Sequence, residues 1–127
     1  MIVNDPSVLA EVTQAFELYE AALLSNDVDA LDAFFWQSPL TLRYGVGERL
    51  YGYEAIAAFR LSRSGGSPQR TLGRTAITTF GTEFATANTE FHRVGENRIG
   101  RQSQSWVRLD GEWRVVSAHV SLEAEKS

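Results

Sequence analysis

The sequence predicts an α+β fold, with N-terminal helices packed on one face of an antiparallel sheet. Three observations carry that expectation. Apolar residues recur at Leu9, Val12, Phe16, Tyr19 and Leu23, a spacing of three and four that marks one buried helical stripe. From residue 69 onward, four long segments alternate polar and apolar side chains, spanning 69–80, 83–93, 99–109 and 112–122. Between the last two stands Asp110-Gly111, the strongest short-range signal for a tight hairpin.

Taken in order, Asp5 followed by Pro6 starts the first helix, with a capping carboxylate ahead of a proline at the first helical position. Ser25-Asn26-Asp27 ends it and caps a second helix from 28 to about 36. A strand is expected over 39–44. Gly45, Gly47 and Gly52 then punctuate a short hairpin-like piece around 48–51. A third helix is expected over 53–63, broken by Ser64-Gly65-Gly66-Ser67-Pro68. Gly81-Thr82 and Asp110-Gly111 fit two-residue turns in the meander, and the polar tail Glu123 to Ser127 is expected to fray. With no internal repeat or linker, residues 1–127 read as one domain.

Composition removes several function classes. The formal net charge of −4 gives no field that favours nucleic acid. The absence of cysteine excludes disulfides, thiolate nucleophiles and cysteine-ligated metal. His92 and His119 are the only histidines and fall on different strands, so no multi-histidine metal site and no cofactor is expected. No apolar stretch approaches the ~20 residues needed to span a bilayer, and Met1 to Pro6 does not have the pattern of a signal peptide. A soluble, cytoplasmic protein with no membrane partner is therefore expected. Lys126 is the only lysine among twelve basic residues, a usage that suits planar, bidentate recognition of carboxylates or reflects a compositional bias.

The strands carry polar groups where an ordinary sheet would place aliphatic ones. This suggests a sheet wrapped around a polar pocket. Tyr19 sits on the apolar stripe of the first helix, so its hydroxyl is either bonded to a backbone carbonyl in the core or aimed into a pocket as a proton donor. Arg43 shares a strand face with Thr41 and is either a solvated edge residue or an anion clamp. His119 alternates with Trp113, Val115 and Ser117. Gln102, Gln104 and Trp106 share one face of the preceding strand, as Asn88 and Glu90 do on the strand before it. Any of these could line one cavity. Arg60 on the third helix and Arg70 after the glycine-rich break are weaker candidates for its rim, and a solvated position suits them better. No serine elbow, phosphate loop or zinc-binding helix motif is present, so an enzyme built from this chain works by positioning, proton transfer and charge stabilisation.

Six segments together resemble the AtzH-like family: Phe16-Glu17-Leu18-Tyr19, Leu42-Arg43-Tyr44-Gly45, the stretch from Leu50 to Ile56, that from Phe84 to Phe91, that from Gly100 to Arg108, and that from Trp113 to Ser121. Relatives in that family carry the name oxalurate catabolism protein HpxZ. The resemblance implies a nuclear transport factor 2-like, or cystatin-like, cone: a strongly curved antiparallel sheet closed by helices around an internal pocket. It also implies conversion of dicarboxyurea to allophanate by a metal-independent, decarboxylating amidohydrolase. Such an enzyme belongs to the breakdown of cyanuric acid and related nitrogen compounds, in functional association with an amidase-signature enzyme. The residues implicated in the family map onto Tyr19 and Arg43. His119, Asn88, Gln104 and Arg60 are then expected to complete a substrate-binding wall. A homodimer is expected from the superfamily. A non-catalytic binding module for the same kind of ligand, and a structural subunit with a vestigial pocket, are the alternatives.

Overall fold

The structure, a computed structural model, describes residues 1–63 and 65–125. Ser64 of the expected helix break and Lys126 and Ser127 of the tail lie outside the described residues.

Helix α1 (Pro6–Leu24) opens as its sequence requires, with the Asp5 carboxylate accepting from Ser7 N and Val8 N and Pro6 in the first turn. Its stripe buries Val8, Val12, Phe16 and Tyr19. Helix α2 (Val28–Phe34) starts on the Asp27 cap and stops two residues earlier than expected. Phe35 turns extended and bridges Val115 instead. Strand β1 is only Leu42–Tyr44, because Ser38 to Thr41 form a turn in which Thr41 Oγ1 donates to Trp36 O at 2.7 Å. β2 (Arg49–Tyr51), α3 (Tyr53–Ser62), β3 (Arg70–Phe80), β4 (Phe84–Arg93), β5 (Gly100–Leu109) and β6 (Glu112–Leu122) follow.

The six strands form one curved sheet in the order β2-β1-β6-β5-β4-β3, not closed into a barrel. It is mixed where the sequence predicts an antiparallel sheet: β1 runs parallel to β6, pairing Arg43 with Ala118, while all other pairs are antiparallel. A parallel pairing between residues seventy-five apart leaves no turn signature, whereas the hairpins do. Asp110 and Gly111 both adopt positive φ, 51° and 78°, as a type I′ turn demands. The turn at Gly81 differs from expectation. Phe80 pairs with Phe84, so it contains three residues, 81–83.

The helices cover one face of this sheet. Between them lies the core, built around Trp106, Phe35, Leu31, Ile56, Val12 and Val115. Tyr19 packs edge-on to Phe34 and Trp106, with ring centroids 5.9 and 6.3 Å away. At the other end of the same face, Arg70 is buried rather than solvated. It donates to both carboxylate oxygens of Glu20, at 2.7 and 3.0 Å, and to Gln102 Oε1 at 3.0 Å.

Candidate functional site

Cross-strand register sorts the candidate residues onto two faces. One row runs Leu50, Arg43, Ala118, Gln104, Ala87 and Ile77 across all six strands. Ala87, Gln104 and Ala118 are buried there, so this row faces the helices. The adjacent row includes Tyr44, His119, Ser103, Asn88 and Ala76 and faces away from them.

His119 therefore does not share the face of Trp113 and Val115. The reason is a β-bulge: Ser105 pairs with Ser117 while Trp106 pairs with Val115, leaving Val116 as an extra residue. Beyond it the alternation slips by one, so Ala118 and Val120 point inward and His119 is exposed. Its ring stands edge-on to Tyr44, 5.5 Å between centroids. Asn88 is exposed on the same outer face and accepts from Ser103 Oγ at 2.6 Å. The polar wall expected from the sequence is thus divided. Tyr19, Arg43, Arg60 and Gln104 lie on the helix side, and His119 and Asn88 on the other.

On the helix side, Tyr19 and Arg43 converge on one recess between α1, α3 and the β1–β2 hairpin. Its lining includes Leu23, Leu31, Leu50, Ile56 and Phe59 as apolar wall, with Tyr19, Arg43, Arg60 and Arg63 as polar groups. The free room in it is about 30 Å³, enough for about two waters. Among the described residues, no protein group hydrogen-bonds the Tyr19 hydroxyl, although the side chain is 4% exposed. Gln104 does not line this recess. Its Oε1 accepts from Trp106 Nε1 at 3.1 Å, and its Nε2 is buried without a partner among the described residues.

Three polar residues that line the recess, Asn26, Arg63 and Ser67, and one beside it, Glu48, are absent from the site residues the sequence suggests. Arg63 follows the stripe Ile56, Phe59, Arg60, a spacing of three and four that carries it onto the buried side of α3 at its C-terminal cap. That periodicity was the available signal. Glu48, on the turn between β1 and β2, has no such signature. It accepts from Arg43 Nη1 at 2.8 Å and lies 3.9 Å from Arg63 Nη2. Arg60 pairs with Asp32. The guanidiniums also stack on aromatic rings, Arg60 over Phe35 at 5.0 Å and Arg63 over Phe59 at 4.6 Å.

Three guanidiniums against two carboxylates leave the site with one positive charge in excess. The crowding shows at Arg63, whose pKa is held below its ordinary value by burial first and by the Arg43 charge second, with Glu48 opposing both. A recess with apolar walls, surplus guanidinium charge and a phenol with no partner among the described residues can hold a small planar anion and hand it a proton. Among the described residues there is no cluster of three or more histidine, cysteine or acidic side chains able to hold a metal ion, and no helix is long and apolar enough to cross a membrane.

The AtzH-like family model matches residues 1–126. Among solved structures, the chain is similar to a DUF3225-family protein of unknown function from Pectobacterium atrosepticum. The two are 53% identical over 96% of this chain and 95% of that one, with a TM-score of 0.93. It is also similar to a cystatin-like fold protein from Burkholderia xenovorans, at 47% identity over 99% of both chains and a TM-score of 0.94. A nuclear transport factor 2-like superfamily protein from Salmonella enterica shares 25% identity over 95% and 94% of the two chains, with a TM-score of 0.76. No curated protein sequence matches. The fold is one suited to small-molecule binding or catalysis.

Proposed function

The chain belongs to the AtzH-like family, and from that premise and the guanidinium-lined recess we propose that it acts on a small N-carboxylated urea, of which dicarboxyurea is the type. The observation that carries this reading is the convergence of Tyr19 and Arg43 on one recess. Arg43 holds a substrate carboxylate through charge-assisted hydrogen bonds. Tyr19 presents its hydroxyl, which has no partner among the described residues, to the substrate nitrogen. As the N–COO⁻ bond breaks, carbon dioxide leaves and the nitrogen takes up a proton from the phenol, giving allophanate. Water restores the phenol proton. Arg60, held by Asp32, adds positive charge at the rim.

Loss of carbon dioxide from a carbamate is intrinsically easy, so the absence of a strong nucleophile is no obstacle. A positioned acid worth ~10²- to 10⁴-fold accounts for useful acceleration. An oxalurate-related ureide, as the name HpxZ suggests for relatives, is an alternative substrate of the same chemical class. The family resemblance extends the proposal to a cytoplasmic homodimer working beside an amidase-signature enzyme.

The test is a steady-state assay of carbon dioxide release from dicarboxyurea, above the uncatalysed background, with Arg43→Ala and Tyr19→Phe. Losses of ~10²-fold or more are expected in folded variants. Unchanged rates would overturn the catalytic roles. A second reading, in which the recess holds the ligand for a partner amidase without turnover, uses the same lining residues. Thermal stabilisation by dicarboxyurea without turnover would select that one.

A further inference from the structure

Two guanidiniums that line the recess, Arg43 and Arg63, already meet a carboxylate from the chain itself. Glu48 sits on the tight turn Gly45-Val46-Gly47-Glu48, closed by Gly45 N donating to Glu48 O at 2.9 Å. One carboxylate oxygen is shared between Arg43, at 2.8 Å, and Arg63, at 3.9 Å. The other accepts from Gly47 N at 3.2 Å. The side chains of Arg43, Glu48 and Arg63 are 14%, 21% and 27% exposed, so the contact is largely withdrawn from water.

Local chain chemistry lets Glu48 reach this position. A Cβ at Gly45 would overlap the Glu48 carboxylate and come within 3.0 Å of Arg43 Nη1. The Gly45 backbone does not adopt positive φ, so its lack of a side chain serves space rather than conformation. The neighbouring pair, Arg60 with Asp32, leaves Arg60 its own counter-ion. Arg43 and Arg63 share one carboxylate between two guanidiniums.

Volume limits the occupant. Free room of about 30 Å³ beside Arg43 and Arg63 holds about two waters, too little for a carboxylate-bearing molecule while Glu48 occupies those guanidiniums. We propose that the Arg43–Arg63 pair is a carboxylate subsite, filled by Glu48 in the free protein, and that a ligand's carboxylate enters by displacing Glu48 from it. This rests on the reading that the recess takes a small carboxylated molecule, and it adds Arg63 as a binding residue and Glu48 as a built-in competitor. The ligand class is a short, planar molecule whose carboxylate is borne on a small polar group. Glu48 then rotates outward with the glycine-flanked turn as the ligand is captured.

The opposite role for Glu48, holding Arg43 in place for the ligand, predicts the opposite sign, so calorimetric titration with malonate separates the two. Glu48→Gln removes the competing charge and keeps the side-chain size. Gly45→Ala evicts the carboxylate while leaving every charged residue in place. Both variants are expected to bind malonate at least tenfold more tightly than the wild type, with thermal melts confirming their folding. Adding Arg63→Gln to Glu48→Gln is expected to cancel most of that gain. If the wild type binds malonate and both variants bind it equally or more weakly, the displacement proposal is overturned while the carboxylate site stands. If neither the wild type nor either variant binds malonate, the carboxylate site and the displacement proposal fall together. Malonamide, which has the same shape without the charge, is expected to bind all of them weakly. Binding of malonamide tightened by Glu48→Gln as strongly as that of malonate would also overturn the proposal.

Discussion

Replacing Tyr19 by phenylalanine removes one oxygen and leaves the ring where it packs against Phe34, Phe35 and Trp106, at centroid distances of 5.9, 6.1 and 6.3 Å. A tyrosine whose hydroxyl is bonded in the core loses ~0.5–1.5 kcal/mol on this change, and more if a buried partner is left unsatisfied. Among the described residues the Tyr19 hydroxyl has no such partner, so its removal is expected to change stability by less than ~0.5 kcal/mol. Activity on dicarboxyurea is expected to fall by ~10²- to 10⁴-fold, because the proton donor is gone. That fall corresponds to ~3–5 kcal/mol of transition-state stabilisation. Urea denaturation by linear extrapolation gives the stability arm, and carbon dioxide release gives the other. A variant that loses more than ~1 kcal/mol of stability and keeps its turnover would show that the hydroxyl is structural, and the reasoning from its missing partner would be refuted.

Arg70→Met strands the Glu20 carboxylate in a buried setting and is expected to destabilise by ~3–5 kcal/mol, while Glu20→Leu combined with Arg70→Met recovers most of that loss; equal melting temperatures for the single variant and the wild type would contradict the buried pair. His119→Ala and Asn88→Ala, both on the outer face, are expected to leave dicarboxyurea turnover within about twofold, whereas a tenfold loss would bring that face back into the mechanism. The Glu96 carboxyl is lowered from 4.5 to about 2 by the Arg98 side chain first and by backbone donors second. Its folded pKa lies below the unfolded value, so its contribution to stability is present above pH 4.5 and is lost as pH falls toward 2. Carbon-detected NMR titration of Glu96 is expected to show that midpoint, and a midpoint above 4 would contradict the contact with Arg98.

The sequence made legible what local chemistry encodes. Asp5-Pro6 and Asp110-Gly111 placed a helix start and a hairpin because capping and positive φ are decided within a few residues. The pairing of β1 with β6 was not legible, since it joins segments seventy-five residues apart with no turn between them. One extra residue, Val116, decided on which face His119 would lie, and a bulge has no compositional signature in this strand. Arg70 read as solvated because its partner, Glu20, lies fifty residues away on a helix. For the candidate site, Tyr19 followed from helical periodicity and Arg43 from strand alternation and resemblance. Arg63 was within reach of the same periodic argument, while Glu48 reaches Arg43 only because the turn folds it back over Gly45.

A crystal structure of the protein with malonate tests the central claim most directly. The expected result is a carboxylate of malonate hydrogen-bonded to the Arg43 guanidinium inside the recess, with the remainder of the molecule facing the Tyr19 hydroxyl. A recess without malonate, in crystals where malonate is bound only elsewhere on the surface, would contradict it.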